Sequence, residues 1–206
     1  MYIPKHFLID DLPSLHDAMH DLASATIVSQ GTDGLVATLV PTELVRDAGE
    51  HGVIRCHFSR ANPHAKAVAE GGEVLAIFQG PQGYISPSWY PSKQTNEGKV
   101  VPTWNYLAVH AYGPATTFEG LDALLPHLEA LTNRHEGASH KPWAVSDAPD
   151  DFIETLARGI IGIEITITRI DGKKKMNQNR PAADRAGMRA GLMAQGRDDL
   201  LKLAEE

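Results

Sequence analysis

Between positions 84 and 106 the chain places Tyr84, Trp89, Tyr90, Trp104 and Tyr106, five of its eight tryptophans and tyrosines. Pro87, Pro91 and Pro102 lie in the same stretch, with Ser86, Ser88, Ser92, Thr103 and Asn105 between them. Flat aromatic walls on a proline-stiffened loop, with hydroxyl and amide groups beside them, suit a flat, polar-edged ligand such as a flavin or a nucleobase. The same residue types also gather in cores and subunit interfaces, so both uses stay open.

A second set of candidates follows the strand expected at 52–59. Period two puts Ile54, Cys56 and Phe58 on one face and Arg55, His57 and Ser59 on the other. Arg60 comes next, then Asn62-Pro63, an N-cap residue followed by the favoured first helical residue, with Lys66 one turn on. A cationic strand end running into a helix N-terminus makes a candidate anion site; the plain alternative is a solvent-facing strand with an ordinary cap. Further on, Lys173, Lys174, Lys175, Arg180, Arg185, Arg189 and Arg197 face a single acid, Asp184, between positions 172 and 197. That basic arm reads as a solvated tail, a phosphate-binding arm or a DNA contact. Gly187 and Gly191, four apart, allow its helix to pack closely on a neighbour.

Other chemistries lack their signatures. Gly-x-x-x-x-Gly-Lys-Ser/Thr, Gly-x-Gly-x-x-Gly and Gly-x-Ser-x-Gly are all missing. Cys56, the one cysteine, falls on the apolar face of its strand and reads as buried filler rather than a nucleophile. His16 and His20 share a helical face but have neither the zincin glutamate nor a third ligand, and they read as surface residues with no metal.

The elements that must position these groups are mostly strands. Residues 25–29 and 35–40 flank Gly31-Thr32-Asp33-Gly34 as a hairpin, and strands are expected at 52–59, 73–79 and 103–112. The clearest lies at 161–168, where Ile161, Ile163, Ile165 and Ile167 alternate with smaller or polar residues. Helical spacing marks 11–23, 65–70, 121–134 and 152–158, and 92–99 reads as a mobile polar flap. Many strands with few helices between them favour a mainly β fold with α additions, an antiparallel barrel, over repeated βαβ units. Apolar content of 42%, a single cysteine, no apolar run of membrane-spanning length and no signal-peptide segment point to a cytoplasmic globular protein. The net charge of −7 argues against broad nucleic-acid binding.

Several segments together resemble the PaiB-type family of FMN-binding proteins, often described as negative transcriptional regulators. They are Met1-Tyr2-Ile3-Pro4-Lys5-His6-Phe7, His57-Phe58-Ser59-Arg60-Ala61-Asn62-Pro63, Val74-Leu75-Ala76-Ile77-Phe78-Gln79-Gly80-Pro81, Tyr84-Ile85-Ser86-Pro87-Ser88-Trp89-Tyr90 and Val101-Pro102-Thr103-Trp104-Asn105-Tyr106. Trp143-Ala144-Val145 and Gln178-Asn179-Arg180-Pro181 complete the set. The resemblance implies an FMN-binding split β-barrel, a domain-interlocked homodimer with FMN between the subunits. Domain 1–170 would be the barrel, and 171–206 a basic arm completing the pocket or the dimer.

Carried over by position, His57, Ser59, Arg60, Asn62 and Lys66 would lie near the flavin phosphate and ribityl chain. Trp89, Tyr90, Pro91, Thr103, Trp104 and Asn105 would line the ring or the dimer seam, and Gln178, Asn179 and Arg180 would close the pocket. Thr38-Leu39 stands where relatives often carry Asn-His or Ser-His, Lys174 where an aromatic is common, and Asn177 where serine is usual. The alternatives are an FMN-dependent oxidoreductase with no assigned catalytic residue, and a haem or other small-ligand protein with His57 or His110 as axial ligand. Direct DNA contact has no recognisable reading motif behind it.

Overall fold

Apolar alternation becomes strand and leucine periodicity becomes helix through most of this chain, whose computed structural model describes residues 1–205. In order the elements are β1 (Leu8–Ile9), α1 (Leu12–Leu22), β2 (Ser24–Gly31), β3 (Gly34–Pro41), β4 (Glu43–Val45), β5 (Val53–Ser59), α2 (His64–Ala69), β6 (Glu73–Ile85) and α3 (Ser92–Thr95). There follow β7 (Thr103–Phe118), α4 (Leu121–Glu136), α5 (Asp150–Ala157), β8 (Ile160–Thr166), β9 (Arg169–Lys175), α6 (Ala182–Ala194) and α7 (Asp198–Glu205). Hydrogen bonds join the strands in the order β3-β2-β6-β7-β8-β5-β4, with β9 pairing β7 and β1. The sheet is mainly antiparallel with helical additions, the fold class expected. Among the described residues no helix is long and apolar enough to cross a membrane.

Residues group into two compact units: Met1–Asp11, Gln79–Val109 and Asp171–Glu206 form unit 1, and Leu12–Phe78 and His110–Ile170 form unit 2. The basic segment after residue 170 therefore shares its unit with two earlier stretches rather than standing apart.

In unit 2, β2 and β3 form the expected hairpin, closing through Gly31↔Gly34, and Gly34 takes a φ of 120° that a side chain would resist. Strand β5 pairs with β8 through Cys56↔Ile163 and Phe58↔Ile161, and Ile54, Cys56 and Phe58 are buried as period two requires. The alternating isoleucines of β8 and its end are buried too: Ile161 at 8% exposure, Ile163 and Ile165 at 0% and Ile167 at 2%. That apolar face is therefore covered inside a single chain. His16 is likewise buried, its Nε2 2.9 Å from the His51 carbonyl, so it is not the surface residue its helix suggested.

In unit 1, α6 and α7 build a core of Ile85, Tyr90, Met176, Met188, Leu192 and Leu200, each such burial worth about 1.5–3 kcal/mol. Gly187 and Gly191 receive Trp89: a Cβ at Gly187 would lie 2.0 Å from the Trp89 carbonyl oxygen, and one at Gly191 2.2 Å from its indole. The basic arm is not one helix, because Gly196 turns the chain at φ 64° between α6 and α7. The expected flap is partly ordered: Asp184, itself buried, accepts hydrogen bonds from the Ser92 amide at 3.0 Å and hydroxyl at 2.7 Å at the start of α3.

Candidate functional site

The expected site residues fall in both units, and each unit is described by itself. In unit 1, β7 carries Thr103, Asn105 and Tyr106. Asn105 is fully buried; its Nδ2 donates to the Met188 thioether at 3.2 Å, while its Oδ1 is a buried acceptor that meets no donor among the described residues. A buried acceptor left alone costs about 1–3 kcal/mol, so it must be explained. Thr103 accepts from the Lys175 ammonium at 2.6 Å. Burial pushes the Lys175 ammonium below its ordinary value; Tyr106 opposes this and Lys173 adds to it.

The rest of the unit 1 set is structural where it is fixed. Trp89 is spent on α6. Tyr90 lies in the α6 core at 2% exposure, its phenol accepting from Asn177 Nδ2 at 2.8 Å with the Arg180 guanidinium 5.0 Å from its ring centre. Burial pushes that phenol up, while the Asn177 bond and Arg180 pull it back. Asn177 takes a φ of 62°, a left-handed turn that asparagine tolerates better than most residues, which gives a local reason for it at this position. Gln178 closes the same turn, accepting from the Met176 amide at 2.7 Å. Trp104 donates its indole N–H to Gln82 at 3.0 Å and stays half exposed, and Asn179 is exposed. A hollow of about 360 Å³ lies over Lys174, Met176, Gln178, Arg185, Met188 and Arg189, and of the expected residues only Gln178 lines it.

Unit 2 is different in kind, because its polar groups mostly satisfy one another. His64, fully buried at the start of α2, contacts Thr38 Oγ1 through Nδ1 at 2.8 Å and Ser29 Oγ through Nε2 at 2.9 Å. Asn62 Nδ2 donates to Thr38 Oγ1 at 3.2 Å, and the Thr38 and Ser29 hydroxyls, each able to donate or accept, satisfy both ring nitrogens of a neutral His64. Burial lowers the His64 pKa, as a ring held neutral by such partners requires. Thr38 thus has a polar role of its own at the position where relatives differ, and Leu39 beside it is exposed.

His57 heads a second chain. Its Nδ1 is 3.2 Å from His127 Nε2, and His127 Nδ1 is 2.7 Å from a Glu43 carboxylate oxygen. Glu43 takes the His127 Nδ1 proton, so His127 Nε2 accepts from His57 Nδ1, and the lone pair of His57 sits on Nε2. Among the described residues nothing meets that nitrogen. Burial first, then His127, hold His57 below its ordinary pKa.

The anion site expected around Arg60 is not open as drawn. The guanidinium already donates to Glu119 at 3.0 Å and to the Arg158 and Ile160 carbonyls, beside a hollow of about 440 Å³ that Glu119 and Glu154 also line. The amides at the start of α2 are used as well: Asn62 Oδ1 takes His64 N, and the Asn62 and Pro63 carbonyls take Ala65 N and Lys66 N. Ser59 Oγ accepts from the Ala61 amide at 3.3 Å, and Lys66 is exposed, 3.8 Å from Glu70. Cys56 is buried with its thiol pushed up to about 12, which fits filler and not a nucleophile.

Sequence reasoning missed the partners rather than the heads of these networks. Glu43 sits on the three-residue β4, which has no alternation to reveal it, and His64 and His127 carry no motif. Lys173 and Lys175 did carry a signal, their spacing of two on a strand.

The sequence matches the family described as "Putative FMN-binding domain" over residues 1–169. It is 39% identical over 173 residues to protein AN0679 of Emericella nidulans, covering 72% of this chain and 69% of that one. It is 32% identical over 184 residues to "Protease synthase and sporulation protein PAI 2" of Bacillus subtilis, covering 89% of this chain and 85% of that one. Its fold is similar to that of the FAD and heme binding protein from Mycobacterium smegmatis, with TM-score 0.59 at 16% identity, over 84% of this chain and 76% of that one.

Proposed function

Since the chain belongs to this family of FMN-binding domains, a split-barrel fold with FMN as cofactor, we propose that it works as a homodimer that holds FMN at the subunit seam and serves a regulatory role of the PaiB type. The observation that carries the flavin reading is Asn105. Its Oδ1 is a buried acceptor in want of a donor, and a flavin ring brings an N–H donor between two carbonyls. Thr103 and Lys175 stand with it on neighbouring strands as a hydroxyl and an ammonium. In unit 1, Asn105, Thr103 and Arg180 would hold the cofactor. When bound, FMN supplies one- and two-electron redox chemistry, and the protein supplies orientation and electrostatics.

A dimer is supported by the outer face of β3. Leu35 is 77% exposed and Leu39 69%, with exposed Ala37 between them on the same face of a strand at the end of the sheet order. An apolar edge strand of this kind is normally covered. Light scattering should return about twice the 22.4 kDa chain mass, and Leu35→Lys with Leu39→Lys should return the single mass. A wild-type monomer at micromolar concentration rules the dimer out.

For the regulatory reading, direct DNA contact is the weaker branch. Arg185 donates to the Arg180 carbonyl, Arg189 to the Ala204 carbonyl and Arg197 to Asp199, so the arm's guanidinium groups are already engaged. DNA affinity is expected in the nonspecific range, about 10⁻⁶ M at physiological salt, and sequence-selective nanomolar binding would reverse this. A flavin-dependent oxidoreductase is the second reading, favoured by the Glu43–His127–His57 chain, which leaves His57 Nε2 able to take a proton. The deciding experiment is the absorption spectrum of freshly purified protein, then titration with FMN, FAD and riboflavin. Flavin bands and a preference for FMN are expected; a Soret band, or no flavin uptake, refutes the reading.

A further inference from the structure

Strand β9 sends Lys173 and Lys175 to one side, because residues two apart on a strand share a face. Lys173 is 8% exposed; its ammonium donates to the Tyr2 carbonyl at 3.0 Å and stands 5.7 and 5.2 Å from the ring centres of Tyr2 and Tyr106. The Lys175 ammonium donates to the Thr103 hydroxyl at 2.6 Å. Asp171, the acid two residues before Lys173, is held by the N-terminal ammonium at 2.6 Å. Among the described residues neither lysine meets a carboxylate at ion-pair distance.

Two ammonium groups close enough to perturb each other, one of them nearly buried and both lacking a counter-charge, are an arrangement a folded chain does not keep for stability. Buried cations are paired as a rule, and carbonyl, hydroxyl and ring faces only partly offset the lost hydration. The component that would balance two such charges is an anion. The two tyrosine rings beside it add flat apolar surface, which favours an anion carried on a ring-bearing molecule.

We propose that Lys173 and Lys175, with Tyr2, Tyr106 and the Thr103 hydroxyl, form a binding site for the phosphate or carboxylate of an aromatic ligand. This goes beyond the flavin reading, because the anion can be the phosphate of FMN itself or belong to a second molecule. An arriving anion pairs with both ammonium groups and favours their protonated form, so a smaller share of Lys175 carries a free nucleophilic lone pair.

The test is lysine acylation of the full-length protein, read residue by residue by mass spectrometry, with inorganic phosphate, FMN or riboflavin present. Inorganic phosphate should slow acylation of Lys175 about ten-fold while leaving exposed Lys141 unchanged. Protection by FMN but not by riboflavin identifies the flavin phosphate as the anion. Protection by phosphate with none from bound FMN identifies a separate anionic ligand; both results support the site. No protection by phosphate or by FMN overturns it. Flavin absorbance followed in the same samples reports whether FMN binds at all, so a failure of the flavin reading is seen separately from a failure of this one. Lys173→Met should abolish the protection and Lys173→Arg keep it. If Lys173→Met does not fold, Lys175→Gln serves instead: loss of the phosphate-induced rise in melting temperature supports the site, and an undiminished rise refutes it.

Discussion

Unit 2 and unit 1 treat their polar groups in opposite ways. In unit 2, His64 is bonded through both ring nitrogens, His127 bridges His57 and Glu43, Arg55 pairs with Glu164 and Arg60 with Glu119. In unit 1, among the described residues, a buried amide oxygen meets no donor and two ammonium groups, bonded to a carbonyl and a hydroxyl, meet no carboxylate. Saturated networks hold a backbone in one arrangement; groups desolvated and unmatched cost stability and persist where a ligand matches them. The contrast separates framework from site better than the aromatic composition does, because Trp89 and Tyr90, the most conspicuous residues in the sequence, are packing residues for α6.

The strongest way to break the comparison is to damage the packing that holds the unit 1 groups. Gly187→Ala sets a Cβ 2.0 Å from the Trp89 carbonyl oxygen, and since that atom is backbone, α6 has to shift. A loss of about 3 kcal/mol in urea unfolding is expected. Removing a saturated group comes next. His64→Leu leaves the Ser29 and Thr38 hydroxyls short of a partner in unit 2 and should cost about 2–3 kcal/mol, whereas Lys175→Met, which removes an unmatched charge, should cost nothing or stabilise. Equal losses from the two would erase the distinction.

Acid sharpens it further. His57 and His64 both have folded pKa values below the ordinary 6.5, so below that pH the unfolded chain takes up protons the folded chain refuses. The stability these rings contribute is complete above pH 6.5 and is lost as pH falls through the window beneath it, by up to about 1.4 kcal/mol per unit of pH for each ring. Urea midpoints should drop from pH 7 to pH 5, and the drop should shrink in His64→Leu.

How much of this the sequence discloses depends on whether a residue acts alone or through a partner. The buried face of β5 and the β2–β3 hairpin follow from period two and a two-residue turn, which are local. Strands β6 and β7 run beyond their expected ends because Gly80, Pro81, Gly113 and Pro114 read as breakers. Yet a Cβ at Gly80 would lie 2.9 Å from the Leu107 side chain, and one at Gly113 1.9 Å from the Thr166 carbonyl oxygen. Those glycines mark close approach rather than chain reversal. Arg60 looked like a phosphate anchor because Glu119, 59 positions away, cannot be paired with it from sequence. Asn105 stood in the expected list for the family segment that contains it. That its Oδ1 is buried and unmatched is a tertiary fact.

That atom also decides whether unit 1 holds the flavin. Calorimetric titration of FMN into wild-type protein and Asn105→Leu, with urea unfolding of the same two proteins, reads site and framework together. Asn105→Leu is expected to be at least as stable as wild type, since it removes an unsatisfied acceptor, while FMN affinity falls about ten-fold or more, the scale of one lost hydrogen bond in a dry pocket. A variant that loses about 2 kcal/mol of stability yet binds FMN as wild type does would show Asn105 to be framework, and would contradict the assignment.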